Sequence, residues 1–328
     1  MGPIYLALFL ASIVCILNAH ETPDHYRRSK RAIKNITHRP MTKIEPVEKG
    51  VFNTKHYRMF FKNEHGLISP YHDIPLFANL ANKTFNMIVE VPRWTNEKME
   101  ISLDEVFNPI RHRIKNHTLE YIPDVHPHDG YFFNYGCFPG TWEDPEEIEG
   151  HTGLKGDGHL LDVMEIGERE AGRGEIMQVK ALGVFAVEDD GRIDWKIIAV
   201  CVNDSNADKL NDIRDVEKVY PGFLEGVKIW FKEFKTANGK PNSKLAIEGR
   251  IFDKEFAHNV IERAWKQWMD MMLKESSEVA TPNVALMNTC IPGHRAHVTY
   301  EMADKQLNRR TFPTGTPPPP RKIDPLDM

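Results

Sequence analysis

The chain has 328 residues, of which 41% are hydrophobic and 27% charged, with a formal net charge of −5. That length and balance supply a sizeable core, in one large domain or two modest ones. The slightly acidic balance gives no whole-chain basic character, so nucleic acid is not an expected partner.

Ile4 to Leu17 is an almost unbroken apolar run, ended by Asn18-Ala19-His20. It has the length of a secretory signal and is short for a membrane span. No Lys or Arg precedes it, and Leu17 is large for its place near a cleavage site. A misassigned start or an uncleaved anchor is the alternative. Arg28-Ser29-Lys30-Arg31 resembles a dibasic processing site, and glycosylation sequons start at Asn35, Asn82, Asn116 and Asn203. The expectation is a signal peptide at 1–19 and a protein that is secreted or in the secretory pathway, with no stable membrane span. Cys137, Cys201 and Cys290, left once Cys15 departs, form no disulfide framework. Residues 20–49 are polar and basic and predict a disordered lead-in. The globular body is expected over 50–275, and an extended tail with Pro317 to Pro320 over 276–328.

Within the body, Thr84 to Val91 alternates, placing Phe85, Met87, Val89 and Val91 opposite Asn86, Ile88 and Glu90. Lys98 to Ser102 alternates as well, so Lys98 and Glu100 share a face. Ile176 to Val187 reads as a long strand, Asp190-Gly191 as a turn, and Trp195 to Val200 as the returning strand. A loop from Asp190 to Ile193 would set Asp189 opposite Asp194. Phe223 to Thr236 carries apolar residues at helical spacing, and Asp253 is placed to cap a helix bearing Phe256, Val260, Ala264, Trp265, Trp268 and Met272. Strands followed by helices predict an α+β fold, mainly β.

The chemistry-bearing segment is Asp157-Gly158-His159-Leu160-Leu161-Asp162-Val163-Met164-Glu165-Ile166-Gly167. It resembles the signature of the family I soluble inorganic pyrophosphatases of eukaryotic type, with three aspartates spaced D-x-D-P-x-D before V-x-E-I-G. Glu90 to Asn96, Asn134-Tyr135-Gly136, Thr141 to Pro145 and Asp194-Trp195-Lys196 are similar to further family stretches in the same register. The resemblance implies a twisted five-stranded, OB-like β-barrel flanked by helices, a homodimer, and magnesium-dependent hydrolysis of pyrophosphate to two phosphates. Divalent cations reconcile an acidic cleft with a dense anion.

By the same resemblance, Asp157, Asp162, Asp194, Asp189 and Glu100 match metal carboxylates. Lys98, Lys196 and Lys235 match phosphate-contacting lysines, Tyr131 and Tyr135 active-site tyrosines, and Glu90 a further active-site acid. Three positions depart from the pattern. His159 stands for the middle aspartate, with Leu160 in place of the proline beside it. Glu120 stands for a phosphate-binding arginine and Phe234 for a tyrosine. An imidazole admits Mn²⁺, Co²⁺ or Zn²⁺ more readily than magnesium. His126 and His128 are either a surface pair or a partial substitute for the lost cation. The alternative function is an exported, catalytically impaired paralogue that binds metal, phosphate or a protein. The alternative location is the cytoplasm.

Overall fold

The computed structural model describes residues 31, 41–128, 130–234, 244–274 and 284–318. The expected signal peptide, nearly all of the lead-in up to residue 40, and Lys235 lie outside the described residues. In chain order the strands are β1 (Glu45–Lys49), β2 (Arg58–Asn63), β3 (Gly66–Ile68), β4 (Phe77–Asn79), β5 (Thr84–Val91), β6 (Met99–Ile101), β7 (Ile110–His112), β8 (Ile114–Lys115), β9 (Thr118–Leu119), β10 (Asn134–Cys137), β11 (Lys155–Gly156), β12 (Asp162–Glu165), β13 (Ile176–Asp189), β14 (Arg192–Cys201), β15 (Lys244–Leu245) and β16 (Phe252–Asp253). The helices are α1 (Ile213–Val219), α2 (Phe223–Glu233), α3 (Lys254–Leu273) and α4 (Tyr300–Asn308). Among the described residues, no helix is long and apolar enough to cross a membrane.

Five strands close a ring: β14 pairs with β12, β12 with β10, β10 with β5, β5 with β13, and β13 with β14. Only β12 and β14 run parallel in it. This is the expected α+β, mainly β, five-stranded barrel with flanking helices. Closure removes the unpaired edges that an open sheet would expose. The two faces of the strands feed two apolar clusters. Phe85, Met87, Val163, Val184 and Trp195 pack with Ala257, Ile261 and Ala264 of α3. Ile88, Met164, Phe185 and Ile198 pack with Trp230 and Phe231 of α2 and with Met59, Met99 and Ile110 of a second sheet in which the strands run β1-β2-β7-β6. As expected, α3 starts at Asp253, whose carboxylate accepts the Phe256 N–H at 3.0 Å and so satisfies a first-turn donor.

Several details correct the reading of the sequence. Both faces of β5 are buried, not one. Its register against β10 steps from Val89 to Val91 while β10 advances one residue, so Glu90 is an extra, bulged residue. Val91 therefore joins Ile88 in one cluster while Phe85, Met87 and Val89 join the other. The β13–β14 turn needs only Asp190 and Gly191, both with positive φ of 48° and 75°, as in a two-residue hairpin loop. Asp189 therefore faces Arg192, and Asp194 faces Val187. The lead-in is not wholly disordered, because Glu45–Lys49 pairs antiparallel with β2 and its backbone groups find partners there.

The expected tail is also built in. In α4, Ala303 and Leu307 pack on Phe60, Leu67 and Phe107. Buried Asp73 accepts the N–H groups of Ser69 at 2.8 Å, Thr289 at 3.0 Å and Cys290 at 2.8 Å, and the Thr289 hydroxyl at 3.2 Å. Glu105 accepts from Arg58 at 2.7 Å, Arg310 at 2.9 Å and Arg111 at 3.2 Å. Burial raises its pKa, but the three arginines outweigh burial and hold it at about 2. A carboxylate held below its ordinary value of 4.5 lends stability that is whole above that value and lost as pH falls towards 2. Thermal unfolding measured from pH 7 to pH 2 should show this decline. Glu105→Gln should cost about 1–3 kcal/mol at neutral pH and flatten the acid limb.

Candidate active site

The barrel strands bring polar side chains together from residues far apart in sequence. Parallel pairing of β12 with β14 sets Asp162 directly beside Lys196. Asp194 lies two residues before Lys196, on the same face of β14. Antiparallel pairing sets Cys137 of β10 opposite Asp162, with Tyr135 two residues away. This closeness depends on Gly136, where an added Cβ would lie 1.9 Å from the Ile88 carbonyl oxygen on β5.

Lys196, only 5% exposed at its side chain, is the hub. Its Nζ donates to Asp162, to Asp194 Oδ2 at 2.5 Å and to the Tyr135 hydroxyl at 3.0 Å. The Tyr135 hydroxyl in turn donates to Asp162. Burial raises the pKa of Asp162, but the ammonium groups of Lys196 and Lys98 bring it below the ordinary value. Asp194 moves the other way, because burial and the charges of Asp162 and Asp157 outweigh Lys196. Lys98 Nζ lies 3.4 Å from the Tyr131 hydroxyl and 4.7 Å from the centre of the Tyr135 ring. The two tyrosine rings stack at 4.5 Å. The bulged Glu90 accepts the Ile101 N–H at 2.7 Å. Burial, and then the charge of Asp162, push its carboxyl up to about 8.

A second group forms where β14 meets the loops on either side of β11. Glu143, Asp157 and Asp194 each present an oxygen, and the three oxygens lie within 4.8 Å of one another. Glu143 is buried, and one of its oxygens accepts the Trp195 N–H at 3.1 Å. Its other oxygen and Asp194 Oδ1 are buried with no hydrogen-bond partner among the described residues. His159 lies against Asp157, its N–H on Oδ1 at 2.9 Å and its Nδ1 3.3 Å from Oδ2. Burial lowers the pKa of this imidazole, but Asp157, with help from Glu100, raises it to about 9.

One cavity of about 290 Å³ is lined by Glu90, Lys98, Glu100, Tyr131, Tyr135, Asp157, His159, Asp162, Asp189, Asp194 and Lys196. These are all the residues expected at the site except Lys235. Glu120 and Phe234 also line it. Phe234 stacks on Trp230 at 5.2 Å. His128 stacks on Phe132 at 4.1 Å, and neither it nor His126 lines the cavity. Around the cavity stand eight carboxylates and five Lys or Arg side chains. Asp162, Asp189 and Glu100 line the space but fall outside the three-carboxylate group. Glu143 and Arg113 were missed in the sequence. Glu143 stands in the Thr141 to Pro145 stretch that carries the resemblance, but a match of residue types alone gives it no role. Arg113 had no signal of its own.

A family profile described as inorganic pyrophosphatase matches residues 87–269. The protein named inorganic pyrophosphatase 1 of Caenorhabditis elegans is 46% identical over 72% of this chain and 56% of its own length. Inorganic pyrophosphatase of Drosophila melanogaster is also 46% identical, over 76% of this chain and 75% of its own. Among solved structures, inorganic pyrophosphatase from Schistosoma japonicum aligns with a TM-score of 0.73 and 44% identity, covering 75% of this chain and 86% of that one. A truncated Trypanosoma cruzi vacuolar soluble pyrophosphatase, solved in complex with PPi, aligns with a TM-score of 0.66 and 33% identity, covering 71% and 92%. With that profile matching over half of the chain, every residue that lines the cavity inside the match, and a relative 46% identical over most of its length, the chain belongs to the inorganic pyrophosphatase family.

Proposed function

We propose that this chain hydrolyses pyrophosphate to two phosphates, with divalent cations held by Asp157, Asp194 and Glu143 and by the neighbouring Asp162, Asp189 and Glu100. The observation that carries the reading is the pair of buried, unpartnered carboxylate oxygens of Glu143 and Asp194 inside a three-carboxylate group. Buried charges without partners are costly, and an all-oxygen donor set fits a hard cation such as Mg²⁺. The nitrogen of His159, once a cation displaces the proton that Asp157 holds on it, would extend the fit to Mn²⁺, Co²⁺ or Zn²⁺. Bound cations would supply positive charge to the phosphoryl oxygens and acidify water for attack. Lys98 and Lys196 present ammonium groups to the phosphate oxygens, and the resemblance adds Lys235, which lies outside the described residues. The stacked Tyr131 and Tyr135 orient both lysines and offer hydroxyl donors. The PPi complex of the Trypanosoma cruzi relative supports this ligand.

The first test is phosphate release from pyrophosphate by purified chain, with magnesium and then manganese. Release that depends on the cation is expected. Glu143→Gln should lower it by about 10- to 100-fold and weaken Mg²⁺ binding in calorimetry. No release with any divalent ion would instead favour a catalytically impaired paralogue that binds metal or phosphate. That second reading draws on His159 lying against both Asp157 oxygens, the carboxylate of Glu120, and the Phe234 ring where a hydroxyl is expected. Export through the apolar N-terminal run, and a homodimer, are further proposals that rest on sequence and resemblance. N-terminal sequencing and light scattering of chain recovered from the medium of secreting cells decide both.

A further inference from the structure

We propose that Arg113 is the phosphate-binding arginine of this cavity, displaced by one strand position from Glu120, where the family resemblance places it. The proposal rests on reading the cavity as a pyrophosphate site. Three backbone hydrogen bonds set Lys98, Arg113 and Glu120 side by side: Arg113 N to Lys98 O at 2.8 Å, Glu120 N to Arg113 O at 2.9 Å, and Lys98 N to Glu120 O at 3.1 Å. Residues directly opposite one another across paired segments point to the same face. All three side chains line the cavity. A cation lost at Glu120 is thus present on its cross-strand neighbour, within one strand spacing.

The guanidinium is held loosely. Its Nε lies 3.4 Å from Glu120 and 3.6 Å from Glu100, and its side chain is 44% exposed. Both distances exceed a direct hydrogen bond. An ion pair this exposed is weak, so a phosphate oxygen pair, which accepts two parallel N–H groups from a guanidinium, competes well for Arg113. The other cavity arginine is committed elsewhere, since Arg192 donates to the carbonyls of Pro145 at 2.9 Å and Gly156 at 3.1 Å.

The test compares full chain carrying Arg113→Met, Arg113→Lys, Arg113→Glu and the exchanged pair Arg113→Glu with Glu120→Arg. Circular dichroism confirms folding of each. Pyrophosphate turnover with magnesium is measured over a range of substrate concentrations, and binding of inorganic phosphate by calorimetry. Arg113→Met should lower kcat/KM by about a hundredfold, and Arg113→Lys should recover only part because an ammonium lacks the planar fork. The exchanged pair should outperform Arg113→Glu alone. Folded Arg113→Met within about threefold of the unaltered chain, below the effect of losing one such donor, overturns the proposal. If the unaltered chain itself does not turn over, the hydrolase reading falls and phosphate affinity decides on Arg113. A tenfold or larger loss, on the order of 1.4 kcal/mol, supports it, and an unchanged Kd overturns it.

Discussion

Lys196→Met is expected to reduce phosphate release by about 100- to 1000-fold and to destabilise the cation-free protein by ~3–5 kcal/mol. Methionine keeps most of the volume and the apolar stem, so packing against the barrel changes little. What disappears is the one ammonium that joins Asp162, Asp194 and the Tyr135 hydroxyl. Two carboxylates are then left buried with no cation between them. Urea unfolding of the variant in chelator and in magnesium separates the two effects. Magnesium should restore part of the lost stability, because a cation bound only by the folded state raises its stability, but it should not restore turnover. Full activity in the variant would remove Lys196 from the site.

Asp73→Ala is expected to cost ~3–5 kcal/mol, because three backbone donors and a hydroxyl would lose a buried acceptor at once. Three of those four donors belong to Thr289 and Cys290, so the loss falls on the junction between the barrel and the C-terminal segment. Limited proteolysis should cut the variant between residues 284 and 298 and leave that segment of the unaltered chain intact. Asp73→Asn keeps one acceptor oxygen and should lose less. Asp73 lies away from the cavity, so the folded fraction of either variant should retain its turnover per molecule. Equal urea midpoints for Asp73→Ala and the unaltered chain would mean that the C-terminal segment is dispensable for stability.

How much could be read from the sequence followed the range of the interactions. The limits of β5, the Asp190-Gly191 turn and the Asp253 cap are local, and each was legible. The facing of Asp189 and Asp194 was not, because the turn takes two residues where Asp190 to Ile193 would take four, and register follows loop length. The bulge at Glu90 is set by pairing with β10 more than forty residues on, and alternation within β5 gives no hint of it. The C-terminal segment reads as loose because its proline content is local, whereas its anchor is an aspartate 216 residues earlier. The cavity residues came from motif register rather than from any physical pattern. That route missed Glu143 and Arg113, whose meaning depends on which carboxylates lie beside them.

Gly136 leaves no room for a side chain between β5 and β10, and Lys196 reaches Asp162 only while β12 and β14 stay in step. A molecule whose strands close one residue out of step would turn Lys196 to the opposite, apolar face. It would still be compact, and it would have no place to hold a phosphate. Under the proposed function, phosphate affinity is therefore a gauge of correct closure, able to count properly assembled molecules in a preparation that far-ultraviolet spectra would pass as folded.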